Sequence, residues 1–431
     1  MVHTKEAVLM PDIPSEIGDL KVFGSTIFRS QIVRVEFCMQ MPIEACLEEL
    51  WDVSLQKNGS ILAWAKGLDS PEQRSELYIA ANTKIKVQNC RGLFWGYENV
   101  REIRFNNCLD TSSVSDMSYL FCGCHHLQIL DLSGFDTSQA VSMEGMFYWC
   151  SALKNLNLSS FDTSHVTNMR SLFDYCSSLK ALDLSTFRTA QVTDFSSLFG
   201  DCISLEDVQL TGINTTHAIQ MRGMFENCRQ LKKLDVSGFD TTSVTDMSSM
   251  FSGCERLEEL DLSAFSTGTL QNMREMFHNC RKLRKLDLSG FDTRHVTNMA
   301  YLFCKCEYLE HVDIRGFHTE QVADMGNMFC GCKCLTYVDV SSFDTRRVES
   351  FARMFRDCCK LEALDVSHFQ TRQVLHFENM FYGCTHLKTL NVRQFNCSSA
   401  VDLSYMFYGC QALAKSEFES LIQDDRKGSD I

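Results

Sequence analysis

The sequence has no apolar run that approaches the ~20 residues a transmembrane helix needs. Its first residues, Met1 to Leu20, include one lysine and several acids but lack the apolar core of a secretory signal. The C-terminus carries neither a hydrophobic tail nor a lipidation cysteine. These absences predict a cytoplasmic protein, or one whose export signal lies outside this sequence.

Positive charge is also scarce, because 41 Lys and Arg stand against 55 Asp and Glu and leave a net charge of −14. A face that binds nucleic acid needs clustered Lys and Arg, so we do not expect a nucleic-acid partner. The sequence contains no Gly-rich phosphate loop, nucleophile elbow or His-Glu-x-x-His motif. We therefore expect no enzyme activity, no cofactor and no resident metal.

What the sequence does have is an unbroken period of 26 residues. The stretch Phe147 to Leu153, Phe-x-x-Cys-x-x-Leu, returns in every period with no insertion. The repeated cysteine falls at twelve positions: Cys124, Cys150, Cys176, Cys202, Cys228, Cys254, Cys280, Cys306, Cys332, Cys358, Cys384 and Cys410. A period this strict predicts a solenoid in which each repeat is one layer.

Each repeat divides into a strand, a turn and a second apolar stretch. Residues 153–158 alternate apolar and polar side chains, which predicts a short strand with one buried face. Asp162-Thr163-Ser164 favours a turn. Asn168 occupies a position that is Asp, Asn or Ser in ten of twelve repeats, a bias typical of a helix N-cap.

The apolar residues that follow are spaced 0, 3, 4 and 7, which predicts a two-turn helix; they are Met169, Leu172, Phe173 and Cys176. The strand pattern Leu-x-x-Leu-x-Leu, at Leu153, Leu156 and Leu158, resembles the strand signature of leucine-rich repeats. We expect an α/β leucine-rich-repeat solenoid, with one short parallel strand and one short helix in each 26-residue repeat.

The chain around the repeats divides into further segments. We expect a loose leader over 1–22, an N-terminal β-rich capping region over 23–92, a solenoid of about twelve repeats over 93–413, and a C-terminal capping helix and tail over 414–431. Within the cap, residues 32–37 predict a strand, and Asn58-Gly59 predicts the turn of a hairpin.

The sequence contains 22 cysteines, twelve of them at the repeated position between an aromatic residue and a leucine. A small buried residue is typical of such a position, so we expect free, buried thiols in a reducing compartment. A cluster with Cys-x-Cys spacing leaves zinc as an alternative: Cys304, Cys306, Cys330, Cys332 and Cys334. We interpret His165, His217 and His295, which share one column, as exposed loop residues.

The motif also resembles a known family. Leu283 to Thr293, Leu-Arg-Lys-Leu-Asp-Leu-Ser-Gly-Phe-Asp-Thr, together with Met-Phe-x-x-Cys, resembles the BspA-like leucine-rich-repeat family over about 93–413. The residues from Trp51 to Ile79 are similar to the segment that often precedes such repeats. The resemblance implies a bacterial protein of a host-associated species, frequently at the cell surface or secreted, with adhesion to host or matrix proteins in some members.

One exposed strand position forms an acidic column: Asp131, Asn157, Asp183, Gln209, Asp235, Asp261, Asp287, Asp313, Asp339, Asp365 and Asn391. Stacked carboxylates ~4.8 Å apart repel one another by ~1 kcal/mol per pair even in water. The column either binds a protein partner or Ca²⁺, or is offset within the fold by the following serines and by Lys232, Lys233, Arg284 and Lys285.

Two functional hypotheses follow. The first is a non-enzymatic scaffold that presents its strand face, with the aspartates of the acidic column, to a protein partner. The second is an intracellular structural or spacer repeat protein with no adhesive role.

Overall fold

The computed structural model describes residues 6–12, 20–40, 50–69 and 73–414. These residues form one 3-10 helix, Arg29–Gln31, and fourteen short strands. The strands are β1 Ile32–Cys38, β2 Leu50–Asp52, β3 Leu62–Gly67, β4 Ser75–Ala80, β5 Ile85–Lys86, β6 Glu102–Arg104, β7 Leu109–Asp110, β8 Ile129–Leu130, β9 Ala181–Asp183, β10 Asp207–Gln209, β11 Lys285–Asp287, β12 His311–Asp313, β13 Ala363–Leu364 and β14 Thr389–Leu390. No helix within this described part is long and apolar enough to cross a membrane. The C-terminal helix expected over 414–431 lies almost wholly outside the described residues.

The N-terminal region forms a sheet of order β2-β3-β4-β1-β6-β8. β2 and β3 are the antiparallel hairpin predicted around Asn58-Gly59, with Asp52 opposite Leu62. β1, also predicted, pairs in parallel with β6, so the cap sheet continues directly into the first repeat. The described residues 6–12 differ from the loose leader that we expected, because Val8 and Leu9 are buried and bridge Lys86 and Ser54.

The chain divides into two compact units, Met1–Asn214 and Thr215–Ile431. In the first, β9 and β10 pair in parallel, with Ala181 opposite Asp207. In the second, β11 pairs with β12, and β13 with β14, at the same offset of one repeat. The predicted strand is present in seven of the eleven repeats between residues 129 and 391, where it is two or three residues long. Residues 155–157, 233–235, 259–261 and 337–339 form no strand.

A second parallel ladder runs through the residues that precede the Met position. Single bridges join Asn168 to Asp194 in the first unit and Asp324 to Ser350 in the second. Each of these residues also accepts a bond from the backbone two residues later, as when Asn168 Oδ1 accepts the Arg170 N–H at 2.9 Å. These side chains therefore make the predicted capping hydrogen bond, but the segment that follows them is a run of turns and not a helix.

The helix predicted in each repeat was wrong: the segment is a run of four-residue turns. In the repeat that starts at Met143, the Met146 N–H bonds the Met143 carbonyl at 3.2 Å, and the Cys150 N–H bonds the Phe147 carbonyl at 3.0 Å. Intervening N–H groups bond the next repeat instead; that of Phe147, for example, reaches the Leu172 carbonyl at 3.0 Å. Over two turns, successive four-residue turns and an α-helix of 3.6 residues per turn place apolar side chains at nearly the same sequence positions. Apolar spacing alone therefore led to the wrong prediction.

Three ladders of buried side chains hold successive repeats together. The rings of Phe147 and Phe173 stack with centroids 5.7 Å apart. The Cys176 thiol donates to the Phe147 carbonyl at 3.2 Å. The Thr137 hydroxyl donates to the Asp162 carbonyl at 2.9 Å and accepts the N–H of the same residue at 2.8 Å. The 21 described cysteines are free thiols, as expected, and those of the ladder are buried or nearly so.

Candidate binding surface

The acidic column lies where each strand ends, and its side chains close the turn that follows. Asp235 Oδ1 accepts the backbone N–H of Ser237 at 3.0 Å and its hydroxyl at 2.6 Å. The same backbone bond to the residue two positions later is made by Asp131, Asn157, Asp183, Asp261, Asp287, Asp313, Asp339, Asp365 and Asn391. The column therefore has a local role in the fold at every repeat that carries Asp or Asn.

Hydrogen bonding also offsets the repulsion between stacked carboxylates. The hydrogen bonds from Ser263 hold the pKa of Asp261 below its usual value, and they outweigh the opposing effect of the neighbouring Asp235. At Asp313 the main cause of the lowered pKa is Arg315, whose guanidinium lies 2.6 Å from the carboxylate. The aspartates of the column are thus ionised at neutral pH, and in the second unit six successive repeats, from Asp235 to Asp365, carry one.

The basic residues that we expected to balance this column do not pair with it in the described part of the chain. Arg284 instead pairs with Glu310 of the next repeat at 2.9 Å. The groups that offset the negative charge are the serines, as one alternative predicted, and Arg315, which was not predicted.

A second exposed column, which sequence reasoning missed, lies beside the first. It consists of the residues two positions earlier on the strand, and we call it the outer column: Ile129, Asn155, Ala181, Asp207, Lys233, Glu259, Lys285, His311, Tyr337, Ala363 and Thr389. All eleven are exposed, with Ile129 at 59% and Tyr337 at 58%. Alternation along a strand places residues i and i+2 on one face, so the period-2 pattern could have identified this column.

Two depressions in the first unit expose both columns. The larger, about 610 Å³, is lined by Arg104, Asn106, Ile129 and Asp131 among others. The smaller, about 320 Å³, is lined by residues of both columns, including Ala181 and Asp183. This strand face is therefore uneven enough to receive protruding side chains.

The cysteine cluster has a different arrangement from the one zinc requires. Cys306 and Cys332 are buried in the thiol ladder and donate to the Phe277 and Phe303 carbonyls at 3.0 and 3.1 Å. Across the described residues, no group of three or more His, Cys, Asp or Glu side chains is placed to hold a metal ion. His165, His217 and His295 are exposed, as expected.

Parallel pairing at an offset of 26 residues defines the chain as a tandem-repeat protein. A family model described as "Mycoplasma protein of unknown function, DUF285" matches residues 78–159, 152–234, 196–313 and 299–420. The chain belongs to this family.

Solved structures with similarity to the chain include leucine-rich-repeat proteins. One is a leucine-rich-repeat protein of Leptospira interrogans, 11% identical, with a TM-score of 0.24 over 82% of this chain and 77% of that one. Another is TLR13 in complex with ssRNA13, 16% identical, with a TM-score of 0.25 over 77% of this chain. This chain spans about half of the TLR13 chain, 46% of its length. None of the curated proteins matches.

Proposed function

We propose that this protein is a non-enzymatic scaffold that binds a protein partner through the strand face of leucine-rich-repeat solenoids. The observation that carries the proposal is that two columns lie side by side on this face, and only one of them is needed to form the turns. The acidic column is tied to the fold, because its oxygens close a turn in nearly every repeat. The outer column makes no comparable bond to the turn and varies from Ile129 to Lys233 to Tyr337.

This division of roles suits recognition. The outer column supplies apolar, basic, acidic and aromatic groups in a fixed order, and such a sequence of contacts can distinguish partners. Beside it, the ionised aspartates supply negative charge that attracts a basic partner surface and repels an acidic one. We expect the partner to carry a basic patch and the complex to weaken as salt increases.

The resemblance to BspA-like proteins favours a bacterial surface or host-interaction role, with a host or matrix protein as partner. The alternative is an internal structural or spacer protein. Protease treatment of intact cells separates the two locations, because a surface protein is digested before the cells are lysed and an internal protein is not.

A pull-down of host-cell and matrix proteins tests the binding proposal. The test variant changes Asp235, Asp261, Asp287, Asp313, Asp339 and Asp365 to Asn. Asparagine keeps the turn, because Asn157 already accepts the Ser159 N–H at 3.1 Å, so only the charge is lost. We expect capture to weaken markedly and unfolding to change little.

A second variant isolates the outer column, with His311→Ser and Tyr337→Ser together. We expect the same partner to be lost while the salt dependence of any residual binding stays that of the native chain. Capture that is unchanged in both variants would exclude the strand face, and no capture by the native chain would favour the spacer role.

A further inference from the structure

A slot of about 480 Å³ opens on the turn runs of three successive repeats in the first unit. Its walls are mainly aromatic, formed by Trp95, Tyr119, Tyr148 and Trp149. It lies away from both columns of the strand face, none of whose residues lines it. The proposed function therefore makes no use of it.

Missing side chains create the slot. Each turn run has a second left-handed residue just before the ladder position, which is Tyr97 in the first run and a cysteine in the others. In the first two runs this residue is glycine: Gly96 with φ +76° and Gly123 with φ +74°. A Cβ on Gly123 would lie 3.7 Å from the Gly96 nitrogen, and one on Gly96 would lie 2.8 Å from Leu20 Cδ1, so the two glycines and the Leu20 side chain form a floor. In the third run the same position is Trp149, whose indole closes one end.

Trp149 is an unexpected residue for this position, because its φ of +63° is left-handed. Ten of the thirteen residues in this column are Gly, Asn or Asp, the types that tolerate such a backbone. The indole is 42% exposed, so burial does not compensate for the strain. Tyr175 and Lys305 adopt the same left-handed backbone in this column, and Trp149 differs from them because its indole lines the slot.

Neighbouring rings hold the indole in place. The Tyr148 ring stacks on Trp149 at 5.6 Å with an angle of 15°, and the Tyr175 ring meets it edge-on at 5.6 Å. The His125 ring lies 5.4 Å away. The ligand-facing wall is therefore ordered before any ligand binds.

The charges around the slot differ in how they are balanced. Arg91 stacks over Tyr119 at 5.3 Å and pairs with Asp116 at 3.5 Å. Glu98 is exposed at the rim, and the described residues supply no ion pair to its carboxylate. Aromatic faces and an unbalanced carboxylate both attract a positive charge.

We propose that this slot binds an alkylated ammonium group, such as that of choline or of a trimethylated lysine. Aromatic walls fit methyl groups, and a quaternary ammonium loses far less hydration than a bare ammonium when it enters them. The faces of Trp95 and Trp149 stabilise the charge, and Glu98 adds a carboxylate at the mouth.

Calorimetric titration of the full chain with three probes tests the proposal. Choline and Nε-trimethyllysine carry the charge, whereas 3,3-dimethylbutanol is the neutral isostere of choline. We expect a charged probe to bind about tenfold more tightly than the isostere. Preference for choline indicates a headgroup ligand, and preference for trimethyllysine indicates a modified protein. Equal binding of the isostere, or no binding of either cation, would overturn the proposal.

Two variants tie binding to the slot. Trp149→Asn removes the wall but suits the left-handed backbone, which offsets the lost ring contacts, so we expect binding to be lost while the chain still folds. Glu98→Gln should weaken choline several-fold and leave the isostere unchanged. The control is Trp64→Phe in the N-terminal sheet, where Trp64 stacks on Tyr78 at 5.3 Å. We expect this variant to bind the probes as the native chain does. Because neither Trp149 nor Glu98 belongs to the columns of the strand face, failure here would leave the pull-down result unaffected.

Discussion

The Thr293 hydroxyl donates to the His318 carbonyl at 2.7 Å and accepts the N–H of the same residue at 2.8 Å. One side chain thus satisfies both backbone groups of a residue in the next repeat, where no strand continues the pairing. The hydroxyl-to-carbonyl bond recurs between every adjacent pair from Thr111 to Thr371 within each unit. All of these threonines are buried, so water cannot replace the bonds.

The first prediction concerns this threonine. Thr293→Val preserves shape but leaves the backbone N–H and C=O of His318 without the buried hydroxyl, and we expect the free energy of unfolding to fall by about 2 kcal/mol. Urea denaturation measures the change. Thr293→Ser is the control, because it keeps both bonds and loses only a methyl group, with a cost of about 1 kcal/mol. Equal losses in the two variants would show that packing, not hydrogen bonding, governs the site.

The second prediction is a dependence of stability on alkaline pH. Burial raises the pKa of the Cys254 thiol to about 12, from an ordinary value of 9.0. Between these values the unfolded chain loses the proton and the folded chain keeps it. Stability is therefore full below pH 9 and declines by about 1.4 kcal/mol per pH unit for this thiol as pH rises toward 12.

Denaturation at a series of pH values checks this decline, with Cys254→Ala as the matched variant. The variant is less stable at pH 7 because a cavity forms and the Phe225 carbonyl loses its donor, a bond of 3.2 Å. Its stability should then fall less steeply above pH 9 than that of the native chain. Parallel curves for the two proteins would contradict a protonated thiol in the folded state.

The third prediction separates charge from turn formation in the acidic column. Hydrogen bonds from Ser367 lower the pKa of Asp365. We expect Asp365→Ala to cost up to about 1 kcal/mol, because the Ser367 N–H loses its acceptor, and Asp365→Asn to cost little at pH 7. Because the folded pKa is lowered, this stabilisation is full above the ordinary value of 3.8 and is lost as pH falls through the lower folded pKa. The Asn variant should not show that loss, and a thermal melt at acid pH measures the difference.

Much of the fold could be predicted because its determinants are local in sequence. The hairpin turn at Asn58-Gly59 and the strand near Ile32 have standard signals, and the period of 26 residues locates every ladder cysteine. The turn runs could not be distinguished from helices by apolar spacing alone. The distinguishing signal was the left-handed column, in which Gly123, Asn227 and Gly253 occupy positions that a helix disfavours.

The candidate sites were predicted less completely. The aspartates of the acidic column lie on the strand face, where Asp313 and Asp339 are half-buried and the others exposed. Their role in closing turns depends on bonds to the backbone that composition does not reveal. The slot escaped prediction because absent side chains form it. The signal available in the sequence was one column of the repeat in which Gly96 and Gly123 are followed by Trp149.

The last prediction distinguishes turn runs from helices by experiment. Gly331 has φ +75°, and its N–H bonds the Arg356 carbonyl of the next repeat at 2.7 Å. In a helix Gly331→Ala would stabilise the protein by about 1 kcal/mol, because alanine is the better helix former. In a left-handed turn position the same change should destabilise by about 1–2 kcal/mol, because the new Cβ crowds its own backbone.

Lys305 occupies the equivalent position of the preceding repeat at φ +63°. Lys305→Gly should therefore be neutral or stabilising, whereas in a helix it would cost about 1 kcal/mol. Chemical denaturation of both variants distinguishes the two structures, and a gain for Gly331→Ala together with a loss for Lys305→Gly would show that the segment is a helix.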